Sequence, residues 1–354
     1  MFIDDLKARS LPAVVPEGMT ADNWPVYRGQ VLDLFRREVY GYSPPGPASV
    51  HSETKASDPR GWAGKAAHRE VVLSFAAQGG IFHMPVHLVL PACEKKIPLF
   101  VYISFTPYPC GQYSPIEEIV DQGYGLAIID YNDVTEDKND GFTSGIAAMY
   151  DRGAPDGYTW GKISMWAWAA SRVMDFVQSL DQVDQNRIFC AGHSRLGKTA
   201  LWCVAQDERF AGAAVNNSGA GGLAVFRGKQ GERAADLVDR FPYWFCANFQ
   251  QYANREHEMP FEQSMLAATV APRLLAACSA EEDIWADPQS EYMALFEASK
   301  AYDLLGAPGF IAPGEYPSVG DEFLEGNLAY RLRSGTHFLS RHDWMAYIRH
   351  FNKK

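Results

Sequence analysis

Three residues in this chain have types and an order that suit acyl transfer: Ser194, Asp283 and His337. Ser194 lies in GHSRLGKT (192–199), after the apolar run NRIFCA and before RLGKTALWCVAQ, whose spacing predicts a helix. A serine on a strand-to-helix turn presents its hydroxyl above a sheet edge, and a neighbouring histidine that takes its proton makes it a nucleophile. In α/β hydrolases the acid that orients the histidine follows a later strand, and the histidine comes near the C-terminus. Asp283 follows the apolar run PRLLAACSA and His337 lies in RSGTHFL, so the order is met. Glu282 and Asp287 share the segment AEEDIWADP with Asp283 and are alternative acids.

GHSRLGKT also satisfies G-x-x-x-x-G-K-[ST], the loop that cradles nucleotide phosphates. A nucleotide site needs a second strand ending in a magnesium carboxylate, usually within the first strands of its domain. Here the motif lies past the midpoint, and Asp130 at the end of YGLAIID is one acid after one strand, a common arrangement. The ordered serine, acid and histidine therefore favour the hydrolase reading. One feature departs from G-x-S-x-G: Leu196 stands where the second glycine belongs, and Gly197 comes one later. The turn must be built differently, with Arg195 directly after the serine.

The elements that would position these residues alternate along the chain. Trp24 to Tyr40 has helical apolar spacing and ends in the Pro- and Gly-rich YGYSPPGPAS. REVVLSFAA, IFHMPVHLVLP and KKIPLFVYISF predict antiparallel strands, and apolar strands alternating with helices follow, from YGLAIIDYN to PRLLAACSA. The predicted fold is a three-layer α/β-hydrolase sandwich, a mostly parallel sheet with antiparallel N-terminal strands. Residues 1–60 read as an N-terminal extension packing on a catalytic domain of residues 61–354.

Composition narrows the partners. The 354 residues are 47% hydrophobic, enough for a large core. A formal net charge of -11 argues against nucleic acid, which demands clustered Lys and Arg. No apolar run approaches the roughly 20 residues that span a bilayer, so no membrane association is expected. MFIDDLKARSLPAVVPEG lacks a basic-then-apolar leader, so the chain as written reads as cytoplasmic, or as secreted or periplasmic if a leader was removed. Cys93, Cys110, Cys190, Cys203, Cys246 and Cys278 show no C-x-x-C spacing, which predicts neither a zinc site nor a disulfide framework.

At GHSRLGKTALW the sequence resembles the bacterial branch of the glucuronoyl esterases, carbohydrate esterase family fifteen, whose elbow has the form G-x-S-R-x-G-K. WAWAASRVMD, AQDERFAGAAVNNSGAGG, FPYWF, AEEDIWADP and RSGTHFLSRHDW extend the resemblance over roughly residues 100 to 350. It implies Ser194 as nucleophile, His337 as general base and acid, and Arg195 as oxyanion donor through its backbone N–H and guanidinium. It further implies sugar contacts by Lys198, Glu232 and Trp285. Fungal relatives carry a glutamate where Asn217 stands and a disulfide-bonded cysteine where His193 stands, so the acid must come from the Asp283 segment and no disulfide is implied.

The implied function is hydrolysis, through an acyl-enzyme, of (4-O-methyl-)glucuronic acid esters such as those joining glucuronoxylan to lignin alcohols. No cofactor, metal or obligate protein partner is expected, and Arg195 and Lys198 in an acidic chain suit an acidic sugar. The same machinery could deacetylate xylan or another carbohydrate, and Asn217 in place of glutamate leaves a non-catalytic carbohydrate-binding protein as a third reading. Trp285 reads equally as a stacking platform or as core, and His342 and His350 of HDWMAYIRHF read as surface or cap residues.

Overall fold

The computed structural model describes residues 2–106, 113–151 and 157–353. Ten strands form one sheet: β1 (His51–Arg60), β2 (Ala66–Ala77), β3 (Gly80–Pro91), β4 (Ile97–Ser104), β5 (Gly125–Asp130), β6 (Val183–His193), β7 (Gly212–Asn216), β8 (Leu274–Ala280), β9 (Glu322–Phe323) and β10 (Leu328–Arg333). Their spatial order is β1-β2-β3-β5-β4-β6-β7-β8-β10-β9. The six strands from β5 to β10 in that order pair in parallel, among them β4, whose segment KKIPLFVYISF the sequence placed with the antiparallel strands, whereas β1, β2 and β3 attach as an antiparallel meander at one edge. β4, β7 and β8 are buried along their whole length, as continuous apolar runs covered on both faces must be.

The covering helices are α1 (Trp24–Phe35), α2 (Lys162–Val177), α3 (Arg195–Gln206), α4 (Pro288–Leu304) and α5 (Arg341–Phe351). α1 to α4 contribute to the larger apolar cluster on one face, while Trp344, Tyr347 and Phe351 of α5 pack with Phe100, Tyr124 and Phe189 on the other. The result is the three-layer sandwich that the sequence predicts. α2 is almost entirely buried, so its apolar residues run all round the helix rather than along a stripe. The predicted helix at Trp24 to Tyr40 is α1 followed by one wide turn, Arg36–Tyr40.

β1 falls within residues 1–60, is exposed throughout and pairs antiparallel with β2. α1 is tied down by Arg28, which donates to the carbonyls of Thr269 and Ala205, and Tyr40 stacks on Trp202 of α3 at 4.3 Å. Cys93, Cys190, Cys203, Cys246 and Cys278 are free thiols; Cys110 lies outside the described residues. His350 is buried and bonds the Leu324 carbonyl through Nδ1, so it is a core residue rather than the surface or cap residue its helix suggested. No helix among the described residues is long and apolar enough to cross a membrane.

Candidate active site

Ser194 stands between the end of β6 and the start of α3 with φ 58° and ψ -127°. A non-glycine residue holds this conformation only when its surroundings impose it. Here the Ser194 N–H donates to Asn216 O at 2.8 Å, and its carbonyl accepts from the N–H groups of Gly197 and Lys198 at 2.9 and 3.1 Å. Its hydroxyl makes no capping hydrogen bond to α3, so the serine is not there as a helix cap. The displaced glycine is explained by close packing. A Cβ on Gly192 would lie 2.0 Å from Leu196 O, and one on Gly197 would press on Asn216 O at 3.1 Å. The chain after the serine thus needs glycine where α3 passes over β7.

Among the three candidate acids, the structure brings Asp283 to His337. His337 Nδ1 lies 2.6 Å from Asp283 Oδ2, and Asn217 Nδ2 donates to the same oxygen at 2.6 Å. Burial opposes the charge on Asp283, but hydrogen bonds from His337 and Asn217 outweigh it and hold the carboxyl below its ordinary range. A carboxylate only accepts, so Nδ1 of His337 is the donor of this bond, and Nε2 is the ring atom left to exchange a proton. Asp287 is instead the N-cap of α4: it accepts from Ser290 N–H at 3.2 Å, from Ser290 Oγ at 2.5 Å and from Gln230 N–H at 2.8 Å. Glu282 is exposed and joins the loop by its backbone, donating to Gly335 O.

His193 packs its ring 4.5 Å from that of His337. Asn216 Nδ2 donates to Cys278 O, which turns its amide oxygen toward His193 and makes Nδ1 the donor of their 2.6 Å bond. Burial, together with the neighbouring His337, pushes the His193 pKa down to about 3, so the ring is neutral. At this position the molecule has an uncharged aromatic wall beside His337.

Arg195 is held by an ion pair of its NH1 with Asp137 Oδ2 and lies over the rings of Trp244 (4.8 Å), Phe105 (5.4 Å) and Phe241 (5.8 Å). Asp137 also accepts from Trp244 Nε1 at 2.7 Å. Its loop is fastened by buried Lys162, which donates to the carbonyls of Glu136 and Lys138 and to Asp140 Oδ1. The Nε–H of Arg195 is buried without a hydrogen-bond partner among the described residues. A buried, unsatisfied donor beside a nucleophile is suited to an oxygen that becomes negative.

Lys198 is buried, and its three ammonium hydrogens are taken by Ser218 O, Ala220 O and Glu232 Oε2 at 2.6 to 2.8 Å. The two cations that made an acidic sugar attractive are therefore both neutralised by ion pairs, Lys198 with Glu232 and Arg195 with Asp137. Trp285 is 42% exposed, which removes the core reading, and the Arg240 guanidinium sits 5.4 Å from its ring. Ser194, Arg195, Lys198, Asn217, Glu232, Trp285 and His337 line one cavity of about 150 Å³ together with Phe241 and Trp244.

Sequence reasoning missed Asp137 and Glu291. Glu291 Oε1 accepts from Ser218 N–H and Oγ and from Gly219 N–H, and Oε2 from Ser279 Oγ, so one buried carboxylate shapes the loop after Asn217. Burial raises the pKa of Glu291, against the pull of these hydrogen bonds. Neither residue carries a local motif: Asp137 is one acid among several in NDVTEDKND, and Glu291 lies inside a helix.

The profile of a family described as glucuronyl esterase, fungi, matches residues 76–306. A carbohydrate esterase of an unknown prokaryotic organism is 33% identical over 91% of this chain and 82% of its own length. A 4-O-methyl-glucuronoyl methylesterase of Wolfiporia cocos is 27% identical over 83% of this chain and 71% of its own. The structure of a glucuronoyl esterase from Solibacter usitatus superposes with a TM-score of 0.88 at 33% identity over 97% of both chains. That of a promiscuous family fifteen esterase from a marine bacterial metagenome gives 0.89 at 30% identity, over 97% of this chain and 96% of the other. With a strained serine, a carboxylate-bound histidine and this profile over most of its length, the chain belongs to the glucuronoyl esterase family.

Proposed function

We propose that the protein is a serine carboxylic ester hydrolase acting on esters of (4-O-methyl-)glucuronic acid, with Ser194 as nucleophile, His337 as base and acid, and Asp283 as the orienting carboxylate. The observation that carries this reading is the 2.6 Å hydrogen bond between Asp283 and His337, the latter lining one cavity with Ser194 and Arg195. His337 Nε2 takes the Ser194 proton as Oγ bonds to the ester carbonyl carbon, and Asp283 stabilises the imidazolium. The negative oxygen is met by the Arg195 backbone N–H at the start of α3 and by the unpaired Arg195 Nε–H, donors worth about 3 kcal/mol each in comparable sites. His337 returns the proton to the leaving alcohol. Water then attacks the acyl-enzyme, gives its proton to His337, and the glucuronic acid leaves as Ser194 is reprotonated.

The pairing of Arg195 and Lys198 fits this chemistry. The ester carbonyl of the substrate is uncharged, so the ground state needs no free cation, and the transition state gains from donors already fixed in place. Glu232 and Asn217 in the cavity wall are suited to sugar hydroxyls, and the exposed face of Trp285 to the apolar face of a pyranose. The likeness to an esterase described as promiscuous supports a second reading, deacetylation by the same serine. Comparing a benzyl ester of a glucuronoside with acetylated xylan tests the choice: faster alcohol release from the first is expected, and release of acetate alone would overturn the glucuronoyl reading.

A further inference from the structure

Away from the strand that carries the serine, the antiparallel edge of the sheet gathers a second group of chemically able side chains. His68 and Glu70 alternate onto one face of β2, and Glu70 faces His87 across the β2–β3 ladder. On the other side, Asp58 of β1 faces His68. His68 Nε2 and His87 Nδ1 are hydrogen-bonded at 3.2 Å with their rings at 23°, and one donor atom from each of His68, Glu70 and His87 lies within 4.8 Å of the other two. A zinc ion at its usual distance of about 2.0–2.1 Å from two imidazole nitrogens at the tetrahedral angle holds them about 3.3 Å apart. The ring nitrogens therefore already stand at the separation that a shared ion requires. Glu70 is exposed, so a rotation about its own side chain suffices to bring its oxygen in.

We propose that His68, Glu70 and His87 form a binding site for a divalent late first-row transition-metal ion such as zinc. Two imidazoles and a carboxylate match that class, whereas calcium and magnesium take oxygen donors. The ion reaches His68 from a surface cavity of about 410 Å³ that Asp58 and Trp62 also line. Donors on two neighbouring strands, β2 and β3, make the site a clamp on the edge meander, so binding stabilises the folded chain by mass action. β5 and β4 separate β3 from β6, which carries the serine, so this site is independent of ester hydrolysis.

The test is calorimetric titration of zinc chloride into chelator-stripped, tag-free protein, with thermal unfolding measured with and without the ion. Wild type is expected to take up one equivalent at this site and unfold at a higher temperature with zinc. His68→Gln and Glu70→Gln should each weaken uptake at least about tenfold and lose the shift, with esterase turnover unchanged. Glu70 is exposed, so its variant reports on binding even if the histidine variant folds poorly. No uptake by wild type, or equal uptake by wild type and both variants, would overturn the proposal, since an ion then binds elsewhere or not at all.

Discussion

Asn217 and His337 donate to the same oxygen of Asp283, each at 2.6 Å. Asn217 thus does not take the place of an acid; it donates to one carried by the loop after β8. Removing the charge while keeping the shape, Asp283→Asn, should lower kcat by about 10³ to 10⁴-fold, because the ring loses its correct tautomer and its counter-charge. Asn217→Ala leaves the charge in place and should cost about tenfold, the value of one hydrogen bond to a charged group. Steady-state kinetics on a glucuronate ester checks both, and a larger loss in the Asn217 variant would contradict this division of roles.

Lys198 and Glu232 are both buried and bonded to each other at 2.8 Å. Lys198→Met leaves Glu232 as an uncompensated buried charge and should destabilise the fold by about 3–5 kcal/mol. Lys198→Met with Glu232→Gln should recover a large part of that loss. Urea unfolding of wild type, the two single variants and the double variant measures the coupling, and additive losses in the double variant would show the pair to be independent.

The buried ring of His193 links stability to acidity. In the folded chain it stays neutral down to about pH 3, whereas an unfolded histidine takes a proton near pH 6.5. The unfolded state binds the extra proton throughout that interval, so stability falls as the pH is lowered through it. From pH 7 to pH 5 this one group should cost about 2 kcal/mol. Asp283, held below its ordinary pKa, adds a loss in the same direction at still lower pH. Unfolding free energies of wild type and His193→Gln at pH 7 and pH 5 isolate the histidine: the variant should lose about 2 kcal/mol less than wild type, and equal losses would refute the linkage.

Trp285 presents an exposed indole at the cavity, so its removal should leave the fold intact. Trp285→Ala is expected to raise KM about tenfold with kcat and the unfolding temperature little changed, the pattern of a residue that binds ground and transition states alike. A fall in kcat without a change in KM would place the ring in the chemistry instead.

Much of the fold and the core of the site were legible because they depend on local pattern. The buried strands β4 and β8 are continuous apolar runs and β6 ends in one, and the order of Ser194, Asp283 and His337 follows from the way such strands feed loops at one sheet edge. β1 was read as part of an extension because HSETKASDPR is exposed along its whole length and carries no apolar alternation. The choice among Glu282, Asp283 and Asp287 was open because three acids in six residues are equivalent until the loop turns one inward and makes another a helix cap. The ion pairs that neutralise Arg195 and Lys198 were hidden for a different reason: Asp137 and Glu232 come 58 and 34 residues away, and only the tertiary fold brings them together.

The central claim is that Ser194, activated by His337, opens a glucuronate ester through an acyl-enzyme. Alcohol release from a benzyl glucuronoside ester by wild type and by Ser194→Ala tests it most directly. The account predicts turnover by wild type and a loss of about 10⁴-fold or more in the variant at unchanged stability. Undiminished turnover by Ser194→Ala, or no turnover by wild type, would contradict it.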